Sequence, residues 1–267
     1  MKNKILPHKL ATMKRLIADT HIHIWDLKKA EYTWLEKDTS ILNRTYAIDE
    51  LESERIATGV THGILVQAAN NLEDTDWMLE VASNTPWIAG VVGWLPLINP
   101  DATAELLENK YLKNHYFKGV RHLIHNELDP KWMLQPTVLE SLTLLADKNI
   151  PYDVVGVLPS HIQTALEVAE KIPNLKMVFD HLNQPPIAAN ERFGIWGNLM
   201  QIAAEHKNFH VKISGLMKEN HNGFDDLAPY INFGLHHFGI ERCFCGGDWP
   251  VSLLFQSYSP TWKIYIE

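Results

Sequence analysis

The sequence predicts an α/β protein built as one (β/α)8 barrel of the TIM type in a single domain. Short apolar runs suited to buried parallel strands alternate with stretches of helical spacing, and the alternation closes at eight. No Gly-x-Gly-x-x-Gly follows the first run, as a dinucleotide-binding sheet would require. With 267 residues, 46% of them apolar, the chain is long enough to bury one such barrel. Residues 1–16 are expected as an N-terminal extension, with Met13 an alternative start, and 17–267 as the barrel.

Taken in order, the expected strands are 17–24, 60–68, 88–97, 118–124, 151–157, 176–180, 210–214 and 242–245, rich in Val, Ile, Leu and Phe. Helical spacing fills the gaps. Ile48, Leu51 and Ile56 mark 48–58, and Trp77, Met78 and Val81 mark 74–83, with Asp74 or Thr75 as N-cap. A shorter helix spans 102–107. Val138, Leu139, Leu142 and Leu145 give 138–148 one apolar face, stopped at Asn149-Ile150-Pro151. Ser160 is expected to cap 160–172, which stops at Pro173; 196–205 and 226–238 complete the set. Two longer loops, 27–47 and 183–195, follow strands one and six and are candidate pocket walls.

Bulk properties narrow the function. A net charge of -8 with scattered Lys and Arg argues against a nucleic-acid partner. No apolar segment approaches 18 residues, and residues 1–15 lack the apolar core of an export signal, so a cytoplasmic location away from membranes is expected. Cys243 and Cys245 share one strand face, are poorly placed to bridge, and are expected reduced and buried. No second cysteine pair completes a zinc site. A small-molecule substrate fits best, with a homodimer as the expected assembly.

Barrel chemistry sits at the C-terminal ends of strands. The first run, Ile17-Ala18-Asp19-Thr20-His21-Ile22-His23-Ile24-Trp25, ends in two histidines that alternation places on one face. Such a pair can hold a metal ion or donate two hydrogen bonds to one oxygen. Later strands end with Gln67, with Arg121 and His122, with Asp153, with Asp180 and His181, with Lys212 and Ser214, and with Asp248 in Gly246-Gly247-Asp248-Trp249-Pro250. Polar groups in apolar runs are costly unless satisfied, so one at nearly every strand end reads as a site. Asp180 is expected to face away from His181 in a structural role, His125 to be a loop donor, and His236 and His237 to be solvated or core residues. Lys212 is expected as a positive donor to substrate rather than a Schiff-base amine.

His21-x-His23, Asp180-His181-Leu182, Lys212-x-Ser214-Gly215 and Gly247-Asp248-Trp249-Pro250, in this order, resemble the amidohydrolase superfamily. The sugar-lactonase branch, of the L-fuconolactonase and L-rhamnonolactonase type, is similar also at Gly119-Val120-Arg121-His122 and Asn126-Glu127-x-Asp129-Pro130. Where related chains carry a carboxylated lysine, this one has Arg121-His122, so a two-metal centre is not expected. The chain stops at Glu267, soon after Pro260, so its last helix is expected to be short or truncated, with weaker barrel closure.

The resemblance implies hydrolysis of a sugar-derived lactone, an aldonolactone such as L-fuconolactone or L-rhamnonolactone. Asp248 is expected as general base on water, beside His21, His23 and His181. Two schemes polarise the carbonyl. In one, a single divalent ion, zinc, is held by His21, His23, His181 and Asp248. In the other, with no metal, the histidines and Arg121 donate hydrogen bonds directly. Gln67, Arg121, His122, Asp153 and Lys212 are expected to bind substrate, with Trp25 stacking on the sugar's apolar face. The competing readings are a metal-dependent decarboxylase of the same superfamily and a barrel that binds sugar acids without turnover.

Overall fold

A computed structural model describes residues 15–187, 192–217 and 224–266. Most of the expected extension and parts of the expected 183–195 loop therefore lie outside the described residues. Among the described residues, eight parallel strands form one sheet in chain order: β1 Ala18–Ile22, β2 His62–Val66, β3 Ile88–Gly93, β4 Phe117–His122, β5 Tyr152–Val154, β6 Met177–Phe179, β7 Phe209–Ile213 and β8 Cys243–Cys245. The seam between first and last is closed by backbone bonds. His23 N donates to Trp249 O at 2.7 Å, and Asp248 N donates to His21 O at 2.8 Å. The Thr20 hydroxyl adds a bond to Cys245 O at 2.8 Å. This is a (β/α)8 barrel.

Outside the strands lie α1 Glu52–Thr58, α2 Leu72–Asn84, α3 Pro100–Asn109, α4 Pro136–Asp147, α5 Pro159–Lys171, α6 Gly194–Glu205, α7 Phe224–Phe238 and α8 Tyr258–Ile266. Proline opens α3, α4 and α5, where its missing N–H costs nothing. Two expected caps are corrected. Asn71 caps α2 by accepting from Asp74 N, because the Asp74 carboxylate is spent inward on Ala68 N, Ala69 N and the Tyr32 hydroxyl. Ser160 lies within the first turn of α5, since Pro159 already occupies its first position.

Leu65, Val91, Val120, Tyr152, Val154, Met177, Phe179, Phe209 and Val211 are fully buried and form the core with the helices. Cys243 and Cys245 are free but half-buried rather than buried, so the strand before the seam is less covered than the others. The short last helix is present, nine residues long. Its Tyr258 hydroxyl and Trp262 Nε1 donate to Asp19 Oδ2 at 2.7 and 3.2 Å, while Asp19 Oδ1 accepts from His21 N and Gly247 N at 2.9 and 3.0 Å. One buried carboxylate thus ties β1, the residues after β8, and α8 together. Burial pushes its pKa up to about 6, against the four donors that lower it.

Candidate active site

His21 and His23 point the same way, as strand alternation requires, and their Nε2 atoms approach to 3.0 Å. Asp248, which follows β8, brings Oδ1 to 3.7 Å from His21 Nε2 and 3.5 Å from His23 Nε2. His23 Nδ1 donates to Val66 O at 2.7 Å, so in the neutral ring Nε2 carries a bare lone pair. Two imidazole nitrogens so close must share a proton from His21 or a cation. Burial lowers the pKa of both rings, only partly opposed by Asp180 for His21 and by Asp248 for His23, which keeps them neutral. Burial alone would raise the Asp248 carboxyl, but His181, His23 and His21 outweigh it and hold it down at about 2. Two neutral imidazoles and one carboxylate, with ligand atoms within 4.8 Å of one another, can hold a metal ion. His23 has the backbone partner on its outer nitrogen that orients a ligating ring.

His181 stands beside this trio and not within it. Its Nδ1 meets the Ser214 hydroxyl at 2.9 Å, and its ring centroid lies 4.5 Å from that of His21. The expected four-ligand set thus reduces to His21, His23 and Asp248 among the described residues. His181, Leu182, Asn183 and Gln184 all have left-handed backbone, with φ between 50° and 55°. Such geometry costs a non-glycine residue about 1–2 kcal/mol, and such residues gather at functional sites. Here the turn carries His181 inward directly after Asp180, so the expectation that the two face apart is corrected. Trp196 Nε1 secures the turn on Leu182 O at 2.8 Å. Gly215, at φ +55°, leaves the space beside His181 open, since a Cβ there would stand 2.7 Å from Asp248 Oδ2.

Beneath the trio lies a layer of paired charges. Arg121 Nη1 donates to Asp180 Oδ2 at 2.9 Å, and Lys212 Nζ meets Asp180 Oδ1 at 2.9 Å and bonds Asp153 as well. Arg121 Nη2 bonds the Gln67 carbonyl and reaches its Oε1 at 3.3 Å. Burial opposes charge here, but Lys212 with Arg121 and His21 leave Asp180 well below the carboxylate range, and Asp153 and Asp180 raise Lys212. Lys212 is therefore a locked ammonium.

A cavity of about 770 Å³ opens above the trio. Of the expected residues, His23, Trp25, Arg121, His181 and Asp248 line it, with His21 just below. Gln67, His122, Asp153 and Lys212, also expected as substrate contacts, do not line it. Gln67, Asp153 and Lys212 belong to the paired layer. His122 alternates away from Arg121, stacks on Trp132 at 3.9 Å, accepts from Trp94 Nε1 and bonds Glu127. Trp25 is both wall and packing: it is buried, and its Nε1 bonds Arg44 O. Trp34 from the first long loop and Gln184 from the second also line the space, so both loops are pocket walls. His125, expected as a loop donor, faces the cavity too, its Nδ1 3.3 Å from Val155 O.

A family model described as Amidohydrolase matches residues 18–267. The chain is 32% identical over 254 residues to an L-fucono-1,5-lactonase of Burkholderia ambifaria, covering 93% of this chain and 86% of that one. An L-fucono-1,5-lactonase of Burkholderia multivorans is 27% identical over 258 residues, covering 92% and 86%. A solved amidohydrolase from Burkholderia multivorans, with bound zinc, superposes with a TM-score of 0.85 at 25% identity, over 94% of this chain and 90% of that one.

Proposed function

The chain belongs to the amidohydrolase family and is a hydrolase acting on lactone esters, and from that premise we propose that its substrate is a sugar-derived lactone, an aldonolactone such as L-fuconolactone or L-rhamnonolactone. The observation that carries this reading is the meeting of His21, His23 and Asp248 at the C-terminal mouth of the barrel, under one cavity. Curated lactonases of similar sequence support the ester class.

Asp248 is ionised at neutral pH and takes a proton from the attacking water. The water oxygen bonds to the lactone carbonyl carbon, the ring C–O bond breaks, and the departing ring oxygen receives the proton. The product is the open hydroxy acid. Ser214 Oγ lies 2.9 Å from His181 Nδ1 and orients the ring, whose Nε2 would stabilise the developing oxyanion if it carries the ring proton. His21, His23 and Asp248 fit a divalent ion, which we assign as zinc; it would polarise the carbonyl and acidify the water. Neutral imidazoles are the form such an ion needs, and His23 is anchored from behind on Val66 O.

A pH-indicator assay across aldonolactones, with and without chelator and with metal analysis of the protein, tests both parts. Turnover lost with the chelated metal is expected. Full turnover after complete metal removal would leave His181, Arg121 and the bare histidines as the polarising groups. Loss of no lactone at all would remove the reading. The carbon-rich cavity walls favour, as second reading, decarboxylation of an aromatic acid, which carbon dioxide release would reveal.

A further inference from the structure

Two buried side-chain donors among the described cavity-lining residues have no partner: Arg121 Nε and Ser252 Oγ. Arg121 is otherwise fully occupied, whereas the Ser252 hydroxyl has nothing at all. Its backbone is tied on both sides. Ser252 N donates to Asp248 O at 2.8 Å, and Ser252 O accepts from Phe255 N and Gln256 N at 3.0 and 2.9 Å. This turn, Val251–Leu254, sets Ser252 one turn beyond Asp248. Ser252 is only 6% exposed and its Oγ is closed to solvent, so a ligand oxygen in the cavity meets the hydroxyl once the side chain turns toward it.

Thr261, on the same cavity wall, shows the alternative. Its hydroxyl donates to Ser257 O and accepts from Gln256 Nε2, both at 3.1 Å. A buried hydroxyl left without a partner is a standing cost, and folds rarely keep one without a use. The neighbouring wall residues Leu216, Met217, Val251 and Phe255 are apolar side chains, so a ligand hydroxyl on this side has few groups to meet.

We propose that Ser252 binds substrate and sets specificity, donating a hydrogen bond to one hydroxyl oxygen carried near the ester that Asp248 serves. The inference rests on the lactonase reading for the identity of the ligand. It names a selecting group that the trio itself does not supply.

The test compares wild type, Ser252→Ala and Ser252→Thr on an aldonolactone and its single-deoxy analogues. Two readouts are taken: kcat/KM, and binding of the corresponding cyclic ethers, which lack the carbonyl, by calorimetry. Ser252→Ala is expected to lose roughly five- to tenfold in both for the fully hydroxylated compounds. The loss should vanish for one deoxy analogue only, and Ser252→Thr, which keeps a hydroxyl, should restore the discrimination. Equal losses for every analogue, no loss for any, or no binding of the ethers to wild type overturns the proposal. Hydrolysis of no lactone by wild type overturns the function above, while the ether binding still reads Ser252.

Discussion

Two levels of the barrel axis hold charged and imidazole groups, and they differ in one respect. In the lower level, Arg121, Asp153, Asp180 and Lys212 neutralise one another within a few ångströms. In the upper level, His21, His23 and Asp248 bring three acceptors together with at most one proton among them. Burial is alike in both, at 5% exposure or less. What separates the two levels is therefore pairing more than charge or depth: the lower level has its partners, Arg121 Nε excepted, and the upper level brings lone pairs together.

The largest expected effect sharpens this contrast. Asp248→Asn should cut kcat/KM by about 10²–10⁴-fold, as for loss of a general base, while the melting temperature stays within a few degrees. An unfolded variant would instead make Asp248 part of the scaffold. In the lower level, Asp180→Asn leaves Lys212 with Asp153 alone and Arg121 with no carboxylate. It should destabilise by about 3–5 kcal/mol in denaturant titration. Full stability with lost activity would break the comparison and move that level into the site. Next, His181→Ala should cost about a hundredfold in kcat, with little change in stability.

The smallest effect is on stability against pH, and its sign differs between groups. Asp19 and Asp74 have folded values raised to about 6 from 3.8, so their contribution is fully present below 3.8 and is lost as pH rises through 6. Asp248, lowered to about 2, contributes above 3.8 and loses that contribution as pH falls through 2. Melting curves of Asp19→Asn and Asp74→Asn should flatten the decline between pH 4 and 6. An unchanged slope would deny that burial sets these values.

Much of this was legible in the residues. The strands announced themselves because both faces of a parallel barrel are covered, giving runs such as 60–68 and 88–97. His21 and His23 were readable from alternation alone. Alternation also spoke against His122, which must turn away once Arg121 turns in, but a list of strand ends hides that. Asp153 and Lys212 pair with each other and do not line the cavity, which strand ends read as one place do not foretell. His181 was expected beside the trio, but its route there was not legible, because no glycine signals the left-handed turn that carries it; four ordinary residues adopt it under tertiary constraint. Ser252 carries no motif, and only its lack of a partner marks it.

Asp19 joins positions 239 and 243 residues apart in sequence, Tyr258 and Trp262, to the strand that bears His21. During synthesis, this carboxylate must wait for almost the whole chain before it finds all its donors. The same carboxylate accepts from Gly247 N, next to Asp248, and from His21 N, which holds the two in register. The seam beside Asp248 is thus tied through Asp19 to residues that are among the last to leave the ribosome.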